Sequence, residues 1–366
     1  MRWAALLSLT AISYLGLIWL WNPLVAVDPP ELRAGSGRRV QGDVVVVIGG
    51  DTAPTDAAEP WLRRHGYRYP FAATTALLRD SDLTLVNLES AVGEAPGGWP
   101  LYKRYRYRTS PRALAALRWA GIDALTLANN HVMDDGREGL AVTLDQLRRA
   151  GLVAVGAGAD AAEARRGTIF ALRGTRVGVL AYLEDSWMDS LYWPSFAWGA
   201  RPGCARLEAR HARDDIARLR RAGADVVIVI AHWGRTYAEV TAVQRCYGWF
   251  LTAVGADLVV GHHPHLPQPV ARVHGRPVVF SVGNYAFGTP GRRVLHYGML
   301  VRAVLRGRRL RRVELVPLLV QNRRVAFQPQ WPPPSEASAL LRDLAQRSAA
   351  YGAMLQVLPD RALLEL

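Results

Sequence analysis

The chain has 366 residues, half of them apolar, and a formal charge of +14. That much apolar chain can bury a large core, which excludes a disordered or fibrous protein. The charge sits almost wholly on arginines dispersed along the chain, which fits a polyanionic partner, an anionic membrane surface, or a compositional bias without functional content.

After Met1 and Arg2, the stretch Trp3 to Val27 carries no charge. As a helix, its roughly 25 residues would span the ~30 Å of a bilayer's hydrocarbon. Trp19 and Trp21 stand near its far end, where indoles favour the interface. Leu24-Val25-Ala26 has a large residue where a cleaved signal carries a small one. The expectation is therefore a retained single-pass anchor over residues 1–27 with the following domain outside the cytoplasm, although Arg33, Arg38 and Arg39 on the far flank weigh against that orientation. Residues 28–41, with Pro29, Pro30, Gly35 and Gly37 among charges, read as a linker, and residues 42–330 as the folded domain.

Within that domain a pattern repeats: a β-branched apolar run ends at a polar loop. Asp43 to Ile48 ends at Gly49-Gly50-Asp51, Leu83 to Val86 at Asn87-Leu88-Glu89, and Ala124 to Ala128 at Asn129-Asn130-His131. Val226 to Ile230 ends at Ala231-His232-Trp233-Gly234, Leu258 to Val260 at Gly261-His262-His263-Pro264-His265, and Val278 to Phe280 at Ser281-Val282-Gly283-Asn284. Helix-like segments such as Gly136 to Ala150 and Arg206 to Ala222 lie between, so the rhythm predicts an α/β domain with a mostly parallel sheet. Ligands of such folds gather where the strands' carboxyl ends face one crevice, and six ends bearing Asp, Glu, Asn or His would converge there.

From about Gly298 the pattern changes to two strand-like runs, Met299 to Leu305 and Arg312 to Val320, expected as a hairpin closing a sheet edge. In the tail, residues 331–366, one amphipathic helix is expected over about Ser335 to Gln356. Cys204 and Cys246 have no CxxC spacing, which excludes a thiolate metal site and leaves a disulfide between them open if the domain is exported.

Taken singly, several polar ends have structural explanations. Asp51 suits a turn after Gly50, and Asn129-Asn130-His131 suits the approach to a helix with Asp134 as its N-cap. Three histidines after a buried strand have no core to fill. Together with the carboxylates they suit a divalent metal such as Mn, Fe or Zn, because imidazole and carboxylate are its ligands and a carboxylate can bridge two ions.

The ordered set Gly50-Asp51, Asn87 to Glu89, Ala128 to Gly136, His232 to Gly234, Gly261 to His265 and Ser281 to Asn284 resembles the CapA family of poly-γ-glutamate capsule synthesis proteins. That family belongs to the calcineurin-like metallophosphoesterase superfamily, which implies a four-layer α/β/β/α sandwich of two packed sheets. The resemblance implies one or two divalent metal ions at Asp51, Glu89, Asn130, His232, His263 and His265, with His131 as the catalytic histidine. Two departures stand out. The superfamily's Asp-x-His pair is here Asp51-Thr52-Ala53, and the family's Glu-Tyr after His-Trp-Gly is here Arg235-Thr236-Tyr237.

The segment Lys103 to Arg108 alternates cations with tyrosines. It reads either as an edge strand with solvated charges or as a basic lip for a polyanion. Lys103 and Arg108, with Asn129, Ser281 and Asn284, are the expected substrate contacts; nucleic acid is not an expected partner of an exported domain. Asp185, Trp187, Tyr192, Trp193 and Trp198 fall in a long irregular segment that suits a lid or a hydrophobic plug. The implied function is an envelope-anchored hydrolase or transferase working on poly-γ-glutamate or a similar anionic polymer, in a capsule synthesis complex. A non-catalytic polymer-binding or export component and a general phosphoesterase remain open beside it.

Overall fold

The computed structural model describes residues 42–93, 103, 105–185, 195–288 and 296–366, and the backbone of Glu31–Arg33. The expected anchor at residues 1–27 lies outside them. Among the described residues no helix is long and apolar enough to cross a membrane.

The strand Val226–His232 is buried along its whole length, and its two faces serve different cores. Val226, Ile228 and Ile230 join one apolar cluster, while Val227, Val229 and Ala231 join a second, as the period of two along a strand requires. The first cluster lies between two sheets, for it also holds Val46, Ile48 and Leu85 from the other sheet. The second is roofed by the helices Ala209–Arg221 and Ala242–Ala253, which contribute Ile216, Leu219 and Leu251.

Among the described residues one sheet has seven strands and the other nine. In the seven-stranded sheet Thr175–Leu183, Val226–His232, Leu258–His262 and Arg276–Val279 run parallel side by side. Thr168–Leu172 flanks them on one side and Val270–Val273 on the other, both antiparallel. Glu31–Arg33, inside the expected linker, pairs parallel with Thr168–Leu172 as the outermost strand. In the nine-stranded sheet Val44–Ala53, Leu83–Leu88, Ala124–Thr126 and Val153–Val155 run parallel. Asn284–Phe287 adds to the carboxyl end of Val44–Ala53. The first sheet is thus parallel in the middle with antiparallel neighbours on both sides, and the second is parallel toward one edge and antiparallel toward the other, a mixture the sequence rhythm did not contain.

Other differences have local causes. The hairpin is Tyr297–Arg306 with Arg309–Leu319, turning at Gly307 with a φ of 60°. It does not close an edge: it pairs with Val44–Ala53 on one side and Ala362–Glu365 on the other. The tail helix is shorter than expected, Pro334–Ala349. The chain breaks at Gly352, φ 76°, and returns as Gln356–Val357 and Ala362–Glu365, the outer strands of the nine-stranded sheet. Ala362 and Leu364 alternate inward there, a two-residue pattern too short to read against the helical one before it. The strand Thr175–Leu183 was missed because Arg176 and Gly178 dilute its apolar run. The helices read from sequence run Gly136–Arg149 and Ala209–Arg221. Cys204 is buried and Cys246 exposed, and no disulfide joins them, so the one left open by the sequence is not formed.

Candidate metal centre

Two glycines let the strand ends approach one another. A Cβ on Gly50 would lie 2.1 Å from the Gly283 carbonyl oxygen, and the next amide, that of Asp51, donates to that oxygen at 3.0 Å. The chain from Ser281 to Asn284 can therefore cross beside Asp51, with Asn284 as its register partner. A Cβ on Gly261 would lie 1.9 Å from the Phe280 carbonyl oxygen and 2.4 Å from Trp233 Nε1, in the space where that indole donates to the same carbonyl at 2.8 Å. Gly261→Ala should therefore destabilise the fold by about 1–3 kcal/mol or more, as overpacking does, read as a lowered thermal midpoint of the metal-free protein.

The six expected ligands come together. His232 Nε2 lies 3.0 Å from Asn130 Oδ1, 3.1 Å from His263 Nδ1 and 3.7 Å from Glu89 Oε1. His265 Nδ1 lies 3.2 Å from Asp51 Oδ2, and its Nε2 is 3.8 Å from Glu89 Oε1. Two groups have ligand atoms all within 4.8 Å of one another, Glu89/His232/His263 and Asp51/Glu89/His265, and Glu89 belongs to both. His263 and His265 adopt positive φ, 91° and 58°, a strained backbone that persists where the surroundings over-determine it.

The residues present fit a divalent cation. Glu89 is fully buried, and neither carboxylate oxygen has a hydrogen-bond partner among the described residues. An unpartnered buried carboxylate is costly. One proton on His232 Nε2 cannot satisfy Asn130, His263 and Glu89 at once, whereas a cation satisfies several lone pairs together. The electrostatics agree. Burial pushes Glu89 well above the carboxylate range, and the Asp51 charge pushes the same way. Burial holds His232 well below its ordinary value, helped by the charge of His263. Burial and then the charge of His265 bring His263 down to about 3. Burial opposes the charge on Asp51, but the hydrogen bond from His265 and the nearby imidazoles outweigh it and hold that carboxyl low. Two neutral imidazoles with lone pairs facing a buried carboxylate form a set whose penalty a bound cation would reverse.

Asn87 orders this set. Its Nδ2 donates to Asp51 Oδ1 at 2.8 Å and lies 3.4 Å from His232 Nδ1, and its Oδ1 accepts from Asn129 at 3.1 Å. Asn284 Oδ1 lies 2.8 Å from His265 Nδ1. Outer contacts of this kind fix ring orientation and tautomer in metal sites.

His131 stands beside the ligands. Its Nδ1 is 2.6 Å from Asp134 Oδ2, which orients the ring and leaves Nε2 facing the centre, 3.9 Å from Glu89 Oε1. Burial, followed by the Lys103 charge, lowers His131 to about 4. Asp134 is not the N-cap expected from the sequence. The residue before the helix is Asp135, and its side chain makes no cap bond. Asp134 instead takes His131, Lys103 Nζ at 2.5 Å and the Tyr107 amide at 2.7 Å. Sequence reasoning missed that role because Asp134, ahead of a helix, has a sufficient local explanation.

The expected substrate contacts divide. Arg108 grips Asp135 with two guanidinium nitrogens, and Lys103 bonds to Asp134 and the Asn130 carbonyl, so these two cations are paired and only partly exposed. Only Arg108–Thr109 of that segment is a strand, parallel to Ala91–Val92; Arg104 lies outside the described residues. Asn129 is fully buried and donates to Asn87 and to the Leu88 carbonyl. Ser281 is fully buried as well and accepts from the Gly283 amide. Trp187, Tyr192 and Trp193 lie outside the described residues, Asp185 pairs with Arg206, and Trp198 is 70% exposed.

The profile of the family described as "Bacterial capsule synthesis protein PGA_cap" matches residues 45–289. A probable polyglutamine synthesis accessory protein of Mycobacterium tuberculosis is 32% identical over 228 residues, 60% of this chain and 59% of the relative's length. The chain therefore spans less than two thirds of that relative. The capsule biosynthesis protein CapA of Bacillus anthracis is 25% identical over 325 residues, 87% of this chain and 76% of that one. Among solved structures, the calcineurin-like phosphoesterase YfkN from Bacillus subtilis aligns with 76% of this chain and 86% of its own at 16% identity and a TM-score of 0.41. The matched stretch runs from the first site strand to just past Asn284 and takes in every expected ligand, and the chain belongs to the bacterial capsule synthesis protein PGA_cap family.

Proposed function

We propose that this protein is a metal-dependent hydrolase or transferase of the cell envelope, tethered through residues 1–27 with its domain outside the cytoplasm, and that it acts on poly-γ-glutamate within a capsule synthesis complex. In this reading the two sheets and their helices form the four-layer α/β/β/α sandwich of the metallophosphoesterases. The observation that carries the proposal is Glu89, whose two buried oxygens lack hydrogen-bond partners among the described residues and which belongs to both ligand groups. The names of the relatives support the capsule context.

Asp51, Glu89, Asn130, His232, His263 and His265 would hold the metal. Divalent ions held there would acidify water and neutralise charge on a phosphoryl or acyl oxygen. The chain's own residues do the rest. Asp134 fixes the His131 ring through Nδ1, so that Nε2 faces the reacting atoms as an acceptor and can take a proton there and hand it to a leaving group. Lys103 joins the Asp134 carboxylate to the Asn130 carbonyl, so the histidine and the neighbouring ligand move as one piece.

The test is elemental analysis of the purified chain with assays on poly-γ-glutamate and on a chromogenic phosphate ester. Bound divalent metal is expected, with cleavage or transfer of the polymer that falls to background on chelation and returns when metal is restored. Ester turnover without action on the polymer would instead identify a general phosphoesterase, and tight polymer binding without turnover a non-catalytic component. A chain that binds no divalent metal would overturn the proposal.

A further inference from the structure

The tether expected at residues 1–27 meets the fold sooner than the sequence implied. Only residues 28–30 stand between the apolar stretch Trp3 to Val27 and the strand Glu31–Arg33, so Val27 and Glu31 can be no more than about 14 Å apart even on a fully extended chain. Glu31–Arg33 is the outermost strand of the seven-stranded sheet. It runs parallel to Thr168–Leu172, with Glu31 opposite Ile169, so the chain reaches it from the end at which Thr168–Leu172 begins. The helix Ala161–Arg165 leads into that same end, and Arg165 ties it to Asp215 of Ala209–Arg221 at 2.9 and 3.0 Å. Against its first residue lies a tight turn. The Ala161 amide donates to the Gly199 carbonyl at 3.0 Å, and Trp198 and Arg201 bond to each other's backbone at 3.2 and 2.8 Å as an antiparallel bridge pair. Residues directly opposite in such a pair project to one side, so an indole 70% exposed and an exposed arginine stand together. A single exposed tryptophan is ordinary surface; this one stands at the end of the sheet edge where the expected anchor arrives.

We propose that this edge of the seven-stranded sheet lies on the bilayer surface, with Trp198 in the interfacial layer and Arg201 on an anionic lipid headgroup. The proposal rests on the tethered reading above. An indole favours that layer because its ring is apolar while its N–H finds polar partners there, and a guanidinium matches a phosphate bidentately. A turn closed by two backbone hydrogen bonds gives up little freedom on binding. The tether makes the contact intramolecular, so one indole and one cation suffice. The metal centre is then held near the membrane. His232 ends the strand three places in from Glu31–Arg33, about 15 Å across the sheet at the usual spacing of strands, so the site works close to the bilayer surface and not at the end of a long stalk.

The experiment uses the full chain with Cys246→Ser, reconstituted in vesicles of phosphatidylcholine and phosphatidylglycerol and carrying an environment-sensitive fluorophore on one new thiol. Ala200→Cys reports on the turn and leaves Trp198 and Arg201 in place. Ala339→Cys reports on an exposed position of the helix Pro334–Ala349, which packs at the opposite edge of the sheet, where Ser348 Oγ accepts from the Val270 amide at 2.9 Å. Emission from residue 200 is expected to shift to the blue and to be quenched by lipid bearing a nitroxide at the headgroup, with neither change at residue 339. Trp198→Ser with Arg201→Glu should return the probe at residue 200 to its aqueous emission while the chain stays in the vesicles. Aqueous emission at residue 200 without those changes, equal quenching at both positions, or an unchanged probe in the double variant would each overturn the proposal. So would a blue shift that the lipid-borne nitroxide does not quench, as contact with a second copy of the chain would give. A full chain that does not enter vesicles at all would overturn the tethered reading itself.

Discussion

Glu89→Gln is expected to separate metal binding from folding more cleanly than any other single change in this protein. In the ion-free state Glu89 is a buried carboxyl with neither oxygen partnered among the described residues, and burial first, then the Asp51 charge, pushes it well above the usual carboxylate range. Replacing it with a neutral isostere removes a desolvated acid and no hydrogen bond seen in the structure, so the metal-free variant should be as stable as the parent or more so. With metal the order reverses. The parent gains about 2.7 kcal/mol when free metal stands at a hundredfold excess over Kd, whereas the variant has lost the one anionic ligand common to both groups and should gain almost nothing. Thermal melts of both proteins with and without Mn²⁺ or Zn²⁺ would check this. A variant stabilised by metal as strongly as the parent would show that Glu89 is not the shared ligand.

His131→Ala should lower turnover by about 10²–10⁴-fold, the range of a positioned acid or base, and leave metal content unchanged. The geometry sets the two results apart: the ring is oriented by Asp134 at 2.6 Å, and His131 belongs to neither group of converging ligand atoms. Asp134→Asn should lower turnover less, because the ring stays while its orientation and tautomer are no longer fixed. Loss of metal from His131→Ala would make that histidine a ligand and reassign the proton transfer elsewhere.

Much of the site was legible in the sequence because its signals are local. A buried strand reads as an apolar run and its end as a break in that run, so Asp51, Glu89, Asn130, His232, His263 and His265 each stood at a recognisable place. Of the three histidines after the buried strand, His263 and His265 are brought to the carboxylates, whereas His262, for which the sequence offered no packing role, is buried against the Gly49 carbonyl. Where local signals admitted two readings, they did not reveal the partners of each side chain. Asp134 before a helix suggested a cap, Asn129 and Ser281 in motif loops suggested substrate contacts, and the basic alternation of Lys103 to Arg108 suggested a solvated edge. Structure supplies partners that those few residues do not announce: Asp134 for Lys103, Asp135 for Arg108, and Asn87 for Asn129.

The sequence by itself determined where the strands that carry the site end and which side chains are chemically able to hold a cation, since these follow from apolar runs and residue type. Only the tertiary structure decided how the strands divide between two sheets, that Glu89 is shared by two groups, and that Ala53 packs with Tyr107 and Phe287. The physical reason is that a side chain chooses partners by distance in space. His262 Nε2 meets the Gly49 carbonyl at 3.0 Å across 213 residues of chain, and the Asp51 carboxylate accepts from the His263 amide across 212. Periodicity encodes which face a residue presents, and carries no record of what packing will set against it.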